Sequence, residues 1–537
     1  MLRAEYVVVG AGSSGAVLAR RLADRGASVI LLEAGGGDRS PVIRKAGMVG
    51  MMHAVPQIKK RFDWGYYSTP QASAQQRRIP QVRGKVLGGS SAINGMLFVR
   101  GNRQNFDDWA AEGCTGWSYD DVLASYKRLE AFEDGPSEFR GGDGPVKVTR
   151  VHGRTEASEG FLESLARTAD AKVLDDYNAA EQEGVSVFQQ SVSGGLRYSS
   201  AVACLGPDAP ERLHVVTGAT VTRVVIENGR ATGVEVVRGR RREVIAADRE
   251  VVLSAGVFGS AQILMLSGVG PAAHLAEHGI EVVADLPVGD NLHDHMFVPM
   301  TFTTRAGRHK GTAPYFARGM VEEALRGNTF LSRTVFEVVG FLRSSLATRI
   351  PDLQIHALPW AYPSPNQDAP VRHHVDKRPA LTVMSTLIYP KSRGTVRLAS
   401  PDPLAAPLVD PGYLREPDDT TVLLDGMELL REAIGSGGVA PDIAELHPGK
   451  GFATRADLAR EVPLRATTVY HPVGTCRMGV DERAVVDPQL RVLGVEGLRV
   501  ADASIMPTIT GGNTNAPALM IGEHAAALIG ASAEASR

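Results

Sequence analysis

The first 33 residues alternate between short apolar runs and one amphipathic stretch. Tyr6–Val9 is an apolar run of strand length, and Ser28–Leu32 is a second one. Between them, Ala16–Arg25 places its apolar side chains at helical spacing, and Gly26 marks the end of that helix. A strand, a helix and a second strand in this order predict a βαβ unit, and therefore a parallel sheet.

A different pattern begins near residue 213, where short runs alternate apolar and polar side chains. Turn residues such as Asn228-Gly229 separate these runs, as expected for antiparallel strands. The pattern predicts a β-meander made of Leu213–Val216, Thr220–Glu227, Thr232–Arg238 and Arg242–Ala246. A further apolar strand, Glu250–Ser254, leads into a predicted helix near Ala261–Leu266.

The block from about residue 300 to 460 carries strands of its own, such as Leu381–Tyr389 and Gly394–Leu398. We expect this block to form a second lobe, because 537 residues exceed the usual size of one domain. From Tyr470 onward Gly-rich turns return, and a last helix is predicted near Ala516–Ile529.

Composition narrows the possible functions only slightly. Hydrophobic residues make up 43% and charged residues 22%, the balance of a globular protein, and the net charge of -2 indicates neither a nucleic-acid partner nor an anionic membrane. No apolar run reaches the roughly 20 residues of a membrane span. Because the first strand begins at Tyr6, we expect no secretory signal. The three cysteines form neither a paired framework nor a metal-ligand spacing, which favours a reducing, cytoplasmic setting.

The turn after the first strand, Gly10-Ala11-Gly12-Ser13-Ser14-Gly15, matches the G-x-G-x-x-G fingerprint of dinucleotide sites. In this fingerprint Gly10 allows the tight turn, Gly12 lets backbone approach a pyrophosphate, and Gly15 lets the helix pack on the strand. The helix N-terminus then offers free N–H groups to phosphate. Glu33, at the tip of the second strand, is placed to accept hydrogen bonds from ribose hydroxyls. The fingerprint alone does not distinguish NAD from FAD.

Four further segments accompany this fingerprint along the chain. They are Gly84–Asn94, Gly256–Pro271, Tyr470–Gly479 and Ala501–Pro517. In this order the five motifs resemble the glucose-methanol-choline (GMC) oxidoreductase family, and most closely its choline dehydrogenase-like bacterial branch. Val257 and Ala261 depart from the usual family pattern, but both changes are conservative.

The resemblance implies an α/β fold with a Rossmann-like FAD-binding lobe, built of a parallel sheet plus a β-meander, and an inserted α+β substrate-binding lobe. The FAD-binding lobe is expected to comprise residues 1–150, 195–300 and 465–537, and the substrate lobe residues 151–194 and 301–464. The cofactor contacts that it implies are Gly10, Gly12, Ser13, Ser14, Gly15, Glu33, Ala34, Val86, Gly88, Gly89, Ser90, Asn94, Gly95, Val221, Asp502, Ala503, Asn513 and Thr514.

The resemblance also implies oxidation of an alcohol carbon to an aldehyde or ketone. Some family members attach FAD covalently through a His in the second motif. The matching residue here is Ile93, so we expect non-covalent FAD. An alcohol must lose a proton and a hydride, and a His is suited to take the proton while flavin N5 takes the hydride. His471 is the candidate base, and Asn513 is expected to orient the substrate oxygen, since an amide is no base at neutral pH.

Other functions remain open from the sequence. A hydroxynitrile lyase on the same scaffold would keep His471 as an acid or base without cycling the flavin. The fingerprint alone also fits an NAD-dependent dehydrogenase, and a binding module could retain the fold without activity. Asn291–His295 contains a His-Asp-His run, but its spacing is poor for a metal, so no metal site is expected.

The substrate is not defined by any motif. A primary alcohol of modest size is the expectation, with oxygen or another electron acceptor reoxidising the flavin. We expect no nucleic-acid partner and no membrane span.

Overall fold

The structure is a computed structural model, and it describes residues 2–48, 55–303, 313–327, 329–361, 378–437, 439 and 443–535. The strands are β1 Arg3–Val9, β2 Val29–Glu33, β3 Tyr66–Tyr67, β4 Pro80–Gln81, β5 Glu130–Phe132, β6 Val146–Arg150, β7 Gly184–Val187, β8 Gln189–Gln190, β9 Val192–Ser193, β10 Leu196–Arg197, β11 Leu213–Thr217, β12 Thr220–Glu227, β13 Arg230–Arg238, β14 Arg241–Leu253, β15 Val269–Gly270, β16 Ala284–Asp285, β17 Met296–Thr303, β18 Val338–Leu342, β19 Leu353–Leu358, β20 Ala380–Leu387, β21 Thr395–Arg397, β22 Leu408–Asp410, β23 Ala444–His447, β24 Thr467–Thr468 and β25 Leu498–Val500.

The α-helices are α1 Ser13–Asp24, α2 Pro41–Arg44, α3 Pro56–Phe62, α4 Arg103–Ala111, α5 Tyr119–Leu129, α6 Glu156–Thr168, α7 Ser200–Cys204, α8 Gly256–Leu266, α9 Ala272–Glu277, α10 Ala313–Arg326, α11 Pro417–Gly435, α12 Arg455–Arg465 and α13 Asn515–Ala535. Short 3₁₀ turns are formed by Ala46–Met48, Ala72–Ala74, Gly89–Ala92, Phe330–Ser332 and Ala503–Ile505. Among the described residues, no helix combines the length and apolar character needed to cross a membrane.

The first sheet has seven strands, in the order β11-β2-β1-β14-β13-β12, with β25 also pairing with β14. β11, β2, β1, β14 and β25 run parallel, while β13 and β12 are antiparallel additions at one edge. The central strands are buried along their whole apolar runs, as expected for a parallel sheet covered on both faces. The predicted Rossmann-like lobe of parallel sheet plus β-meander is therefore confirmed.

The meander differs in detail from its prediction. Leu213–Val216 is not part of it, because β11 pairs in parallel with β2 at the far edge of the sheet. Arg242–Ala246 and Glu250–Ser254 are not two strands, because β14 runs from Arg241 to Leu253 without a break. The first half of β14 pairs with β13 and the second half with β25, while β1 lies along its other side. A change of partner along one strand leaves no turn signal in the sequence.

The second sheet is antiparallel and also has seven strands, in the order β23-β17-β20-β19-β18-β7, with β24 pairing with β17. One of its faces packs against α6, α11 and α12 around a core that includes Ile355, Val383 and Leu423. The predicted second lobe of α+β type is confirmed. Its exact domain boundaries stay a prediction, since β17 crosses residue 300 and β24 lies just beyond residue 465.

Two chain segments meet where the second sheet joins the first lobe. His293–His295 leads directly into β17, and Val469–Val473 follows β24. Because β24 is antiparallel to β17, these segments lie side by side, with backbone hydrogen bonds joining Val469 to His295 and Val473 to His293. This arrangement brings His295 and His471, which are far apart in the sequence, next to each other.

The last helix, α13, packs on α1 at very close range. The Ser14 hydroxyl donates to the Ala518 carbonyl at 2.6 Å. At Gly522 an added Cβ would lie 2.2 Å from the Ser14 carbonyl oxygen, so this position has no space for a side chain. The glycine therefore sets the distance between the two helices.

We expect Gly522→Ala to lower the free energy of unfolding by about 1–3 kcal/mol, because the methyl group must push α13 away from α1. Thermal unfolding of the holoprotein measures the effect. Gly435→Ala is the matched control, since Gly435 also lies in a helix but an added Cβ would meet no atom within 4 Å. Equal transition temperatures for the two variants would contradict the packing described here.

Candidate active site

One large cavity connects the β1–α1 turn to the junction of the two sheets, with a volume of about 2050 Å³. Pockets for drug-sized ligands are usually about 300–1,000 Å³. The cavity therefore has room for a dinucleotide together with a second, smaller molecule. Its walls include Gly12 and Glu33 at one end and His471 and Asn513 at the other.

The β1–α1 turn has the geometry that the fingerprint predicts. Gly10 has φ +98°, and a Cβ there would lie 2.4 Å from the Ser254 carbonyl oxygen. A Cβ on Gly15 would lie 2.0 Å from the Gly10 carbonyl oxygen. At Gly12, by contrast, an added Cβ would meet only Gly89 Cα, at 3.9 Å, and no side chain caps the N-terminus of α1. The free N–H groups of this helix end are thus available to a phosphate, which fits a dinucleotide cofactor.

Glu33 is buried at the end of β2 with its carboxylate held by backbone. Oε2 accepts from Ala11 N–H at 3.1 Å, and Oε1 accepts from Gly35 N–H at 2.7 Å. Burial raises the pKa of Glu33 to about 7, although these two hydrogen bonds and Lys85 oppose the shift. A carboxylate that lacks solvent is stabilised by further donors, so hydroxyl groups of a ribose suit this position.

The structure brings most of the predicted cofactor residues to this cavity. The predicted residues that line it are Gly10, Gly12, Ser13, Ser14, Glu33, Ala34, Gly89, Ser90, Asn94, Gly95, Val221, Asp502, Ala503, Asn513 and Thr514. Gly15, Val86 and Gly88 are not among the lining residues. Gly15 packs α1 on the turn, Val86 is fully buried, and Gly88 N–H donates to the Ala11 carbonyl at 2.8 Å. These three residues therefore pack behind the residues that line the cavity and support them.

Asp502 connects two helical segments at the cavity. Its Oδ2 accepts from Gly256 N–H at 2.9 Å and from the Ser260 hydroxyl at 2.6 Å, and its Oδ1 accepts from Ser504 N–H at 2.8 Å. Gly256 opens α8, and Ser504 lies in the 3₁₀ turn after Asp502. The carboxylate is thus occupied by protein donors and shapes the wall, and its predicted contact with the cofactor stays a prediction.

His471 is held by its backbone as well as its ring. Its N–H donates to Asp294 Oδ1 at 2.8 Å, and Asp294 Oδ2 accepts from the hydroxyls of Tyr413 and Thr468. The preceding residue, Tyr470, has φ +66°, a strained conformation for a side chain of this size. Strain of this kind persists only where surrounding contacts impose it, so the position of His471 is tightly determined.

A chain of hydrogen bonds defines which ring nitrogen of His471 carries the proton. His295 Nε2 lies 2.9 Å from the Ile388 carbonyl oxygen, which can only accept, so Nε2 must carry the proton of His295. Neutral His295 then accepts at Nδ1, which lies 3.0 Å from His471 Nδ1. His471 must therefore be protonated at Nδ1. Its Nε2 is left as an acceptor, with its lone pair directed toward Asn513 at the wall of the cavity.

Asn513 lies on the open side of that lone pair. Its Nδ2 is 3.2 Å from His471 Nε2, and its Oδ1 accepts from Gln354 Nε2 at 3.3 Å. Gln354 therefore fixes the amide so that the N–H group, and not the carbonyl, points to His471. Asn513 is a donor at this site.

The electrostatic surroundings keep the histidines neutral. Burial lowers the pKa of His471 well below its usual value, and His295, His356 and Arg83 lower it further. Burial also lowers the pKa of His295 to about 3. Both imidazole rings are therefore uncharged near neutral pH, which is the state that the hydrogen-bond chain requires.

Sequence reasoning missed part of this site. Gln354 and His356 were not singled out, because an isolated Gln or His in an apolar strand carries no motif. His295 was considered only within a run that resembles a metal site. In the part of the chain that the structure describes, no group of three or more His, Cys, Asp or Glu side chains could hold a metal ion. The His-Asp-His run instead supports His471 from two sides.

The chain resembles known proteins over nearly its whole length. N-terminal and C-terminal models, both described as GMC oxidoreductase, match residues 4–297 and 390–522. The oxygen-dependent choline dehydrogenase of Rhizobium etli is 41% identical over 534 residues, covering 98% of this chain and 95% of that one.

Solved structures agree with these matches. The pyridoxine 4-oxidase from Mesorbium loti has a TM-score of 0.86 at 28% identity, covering 97% of this chain and 98% of that one. A formate oxidase from Aspergillus oryzae has a TM-score of 0.91 at 25% identity, covering 99% of each chain. The resemblance that the motifs predicted is confirmed.

FAD affinity of the apoprotein should rise as the pH is raised from about 6 to 8. Glu33 has a pKa of about 7 in the apoprotein, and ribose hydroxyls that donate to its carboxylate favour the ionised form. A ligand that lowers the pKa of an acid binds more tightly at higher pH, here by up to roughly tenfold.

Titration of apoprotein with FAD, followed by flavin fluorescence, measures this effect. Glu33→Gln cannot ionise, so its affinity should be lower and should not change with pH over this range. Glu243→Gln, on the exposed part of β14, is the control and should behave as the unmodified protein. The same pH dependence in Glu33→Gln would contradict the assignment.

Proposed function

Because the chain belongs to the GMC oxidoreductase family and is an FAD-dependent alcohol oxidoreductase, we propose that His471 takes the hydroxyl proton of the substrate. Asn513 holds the substrate oxygen, and His295 orients the base. The observation that carries this assignment is the lone pair at His471 Nε2, which faces the cavity beside a donor 3.2 Å away.

The geometry suits an alcohol whose hydroxyl group reaches both His471 Nε2 and the Asn513 amide from the cavity and replaces the hydrogen bond between them. Its hydroxyl proton is donated to Nε2, and its oxygen accepts from the Asn513 amide. Loss of the proton increases negative charge on that oxygen, and the Asn513 N–H stabilises this charge most strongly as it develops. The hydrogen bond from Gln354 keeps the amide in this orientation.

FAD, when bound, supplies the acceptor for the hydride that leaves the hydroxyl-bearing carbon of the alcohol. Several features of the chain fit its non-covalent binding. Ile93, which lines the cavity, has no group that could bond to the flavin. The N-terminus of α13 begins at the cavity wall, next to Asn513 and Thr514, and its positive end favours an anion.

His471 is suited to proton transfer because it is a neutral base whose Nδ1 already carries a proton and donates to His295. As Nε2 gains a proton, the ring becomes positive, and the hydrogen bond from Nδ1–H to His295 strengthens. Asp294 accepts from the backbone N–H group of His471 and so holds the base in position. The contact with His295 therefore favours the protonated form of His471 more than the neutral form.

Oxygen is the electron acceptor that we propose, and a primary alcohol of modest size the substrate. The Rhizobium etli relative is named oxygen-dependent and the Mesorbium loti relative is named an oxidase, which supports oxygen. All three cysteines are buried free thiols, which supports the predicted reducing, cytoplasmic setting. The relatives named above are oxidases and a dehydrogenase, so they give no support to the lyase alternative.

Replacing the base should abolish most of the chemistry but not cofactor binding. We expect His471→Ala to keep FAD and to reduce the flavin with alcohol about 10²–10⁴ times more slowly, which is the usual contribution of a general base. Anaerobic stopped-flow absorbance measures the rate. His152→Ala, which changes an exposed histidine outside the cavity, is the control. Unchanged reduction in His471→Ala would exclude the proposed role.

The positioning role of His295 predicts a difference between two substitutions. His295→Leu removes the acceptor for His471 Nδ1–H, so the ring is free to place its proton on Nε2 and the flavin should be reduced roughly 10–100 times more slowly. His295→Asn retains an acceptor at the δ position and should recover much of that rate.

Nitrogen-15 NMR of histidine-labelled protein supplies a readout that a purely structural role would not change. The Nε2 signal of His471, assigned by its loss in His471→Ala, should be that of an unprotonated nitrogen in the unmodified protein and in His295→Asn. In His295→Leu it should shift toward the protonated position. Identical spectra and rates in the two His295 variants would contradict the role of this residue.

A further inference from the structure

One face of the second sheet forms the end of the cavity next to the proposed base. Thr386 lies directly opposite Phe297 on β17 and opposite Gln354 on β19. Met384 is likewise opposite His356, so these side chains share one face of the sheet. Gln354 reaches Asn513 from this face. The face therefore surrounds whatever part of the substrate extends beyond the reacting hydroxyl.

Apolar side chains predominate on this face. Phe297, Leu358 and Met384 form a buried cluster, and Phe336, Trp360 and Val469 pack against it. All six line the cavity. Three of them are aromatic rings that offer edges or faces to a ligand, and a methionine thioether makes favourable contacts with a further ring. The surface thus suits an apolar, flat group.

The polar groups on the same face are uncharged. His356 has its Nδ1 3.1 Å from the Thr386 hydroxyl, and burial lowers the pKa of His356 to about 3. A neutral imidazole and a hydroxyl can pair with a neutral substituent of the substrate. They give no counter-charge to a cation.

The carboxylates around the cavity offer no free counter-charge to a cationic substrate near the base. Among the described residues that line the cavity, the carboxylates are Glu33, Asp63 and Asp502. Glu33 and Asp502 are occupied by the donors described above, and Asp63 Oδ1 accepts from the N–H groups of Gly65 and Arg83. The Arg83 guanidinium lies close enough to His471 to lower its pKa. Asp294, behind His471, already accepts from Tyr413, Thr468 and the His471 N–H group. A cation bound at this end would therefore be desolvated near Arg83 without a free carboxylate to pair with.

We propose that the substrate is an uncharged primary alcohol that carries an aromatic ring, and that quaternary ammonium alcohols such as choline are poor substrates. This inference rests on the proposed function, because it places the reacting hydroxyl against both His471 and Asn513. The ring lies against the Phe297–Leu358–Met384 cluster. Burial of an unpaired cation there is strongly unfavourable, whereas burial of a ring is favourable.

Three alcohols distinguish shape from charge in a direct test on the holoenzyme. Choline and 3,3-dimethylbutan-1-ol have nearly the same shape and differ by one charge, and benzyl alcohol introduces the ring. We expect kcat/KM for 3,3-dimethylbutan-1-ol to exceed that for choline by about 100-fold, the usual scale for leaving a buried charge unpaired. Benzyl alcohol should exceed both.

A preference for choline over its neutral isostere would overturn the inference, because the rings would then act as a cage for a cation. A preference for 3,3-dimethylbutan-1-ol over benzyl alcohol would overturn the assignment of an aromatic substrate. If none of the three alcohols reduces the flavin, the proposed function itself fails, which is a separate outcome.

Binding of unreactive ligands gives a readout that does not depend on turnover. Calorimetric titration of the holoenzyme with benzamide should detect binding, and titration with tetramethylammonium should require at least about 100 times more ligand. Tighter binding of tetramethylammonium would contradict the proposal.

A pair of substitutions at Phe297 tests the face itself. Phe297→Glu places a carboxylate on the apolar cluster. Phe297→Gln introduces a side chain of nearly the same volume as Glu but without its charge. We expect the ratio of kcat/KM for choline to that for 3,3-dimethylbutan-1-ol to be at least about tenfold higher in Phe297→Glu than in Phe297→Gln. Equal ratios in two variants that both retain FAD would contradict the proposal that the part of the substrate remote from the hydroxyl lies against Phe297.

Discussion

The hydrogen bond between the Nδ1 atoms of His295 and His471 determines what the site can do. The Ile388 carbonyl accepts a hydrogen bond from His295 Nε2–H, so the Nδ1 of neutral His295 can only accept. His471 must then donate from its own Nδ1. The lone pair of His471 is then directed into the cavity instead of into the protein. Without this contact the ring could place its proton on Nε2 and present a donor, which cannot accept a proton from an alcohol.

The fold serves this contact by joining two distant segments. His295 precedes β17 and His471 follows β24, and pairing of these strands places the rings next to each other. The first lobe contributes Asn513 just before α13, and the second sheet contributes Gln354. The proposed reacting position therefore lies where the two lobes meet, with the nucleotide fingerprint at the other end of one cavity. Each lobe supplies part of the geometry that neither could form alone.

The sequence was sufficient for the features that depend on local pattern. The spacing of Gly10, Gly12 and Gly15 after an apolar strand predicted the tight turn into α1, and the structure has that turn. The family motifs predicted His471 and Asn513 as the catalytic pair, and both residues line the cavity. The sequence was not sufficient where long-range pairing decides the structure, as in the continuous strand β14, whose partners change midway without a turn.

The supporting residues were hidden for the same reason. His295 acts through the direction of its ring and the carbonyl of Ile388, and neither is visible in a motif. Gln354 and His356 lie on a strand whose alternation predicts burial but not which lobe it faces. Their roles follow only from the register of β19 with β20, which places them on the cavity side.

An anaerobic titration of the purified holoenzyme with a panel of uncharged and charged primary alcohols tests proton and hydride removal most directly. The visible flavin band should bleach on addition of an uncharged alcohol and return when air is admitted, as expected if oxygen is the acceptor. A flavin band that no alcohol in the panel bleaches would contradict the proposed oxidation, whatever the arrangement of His471 and its partners.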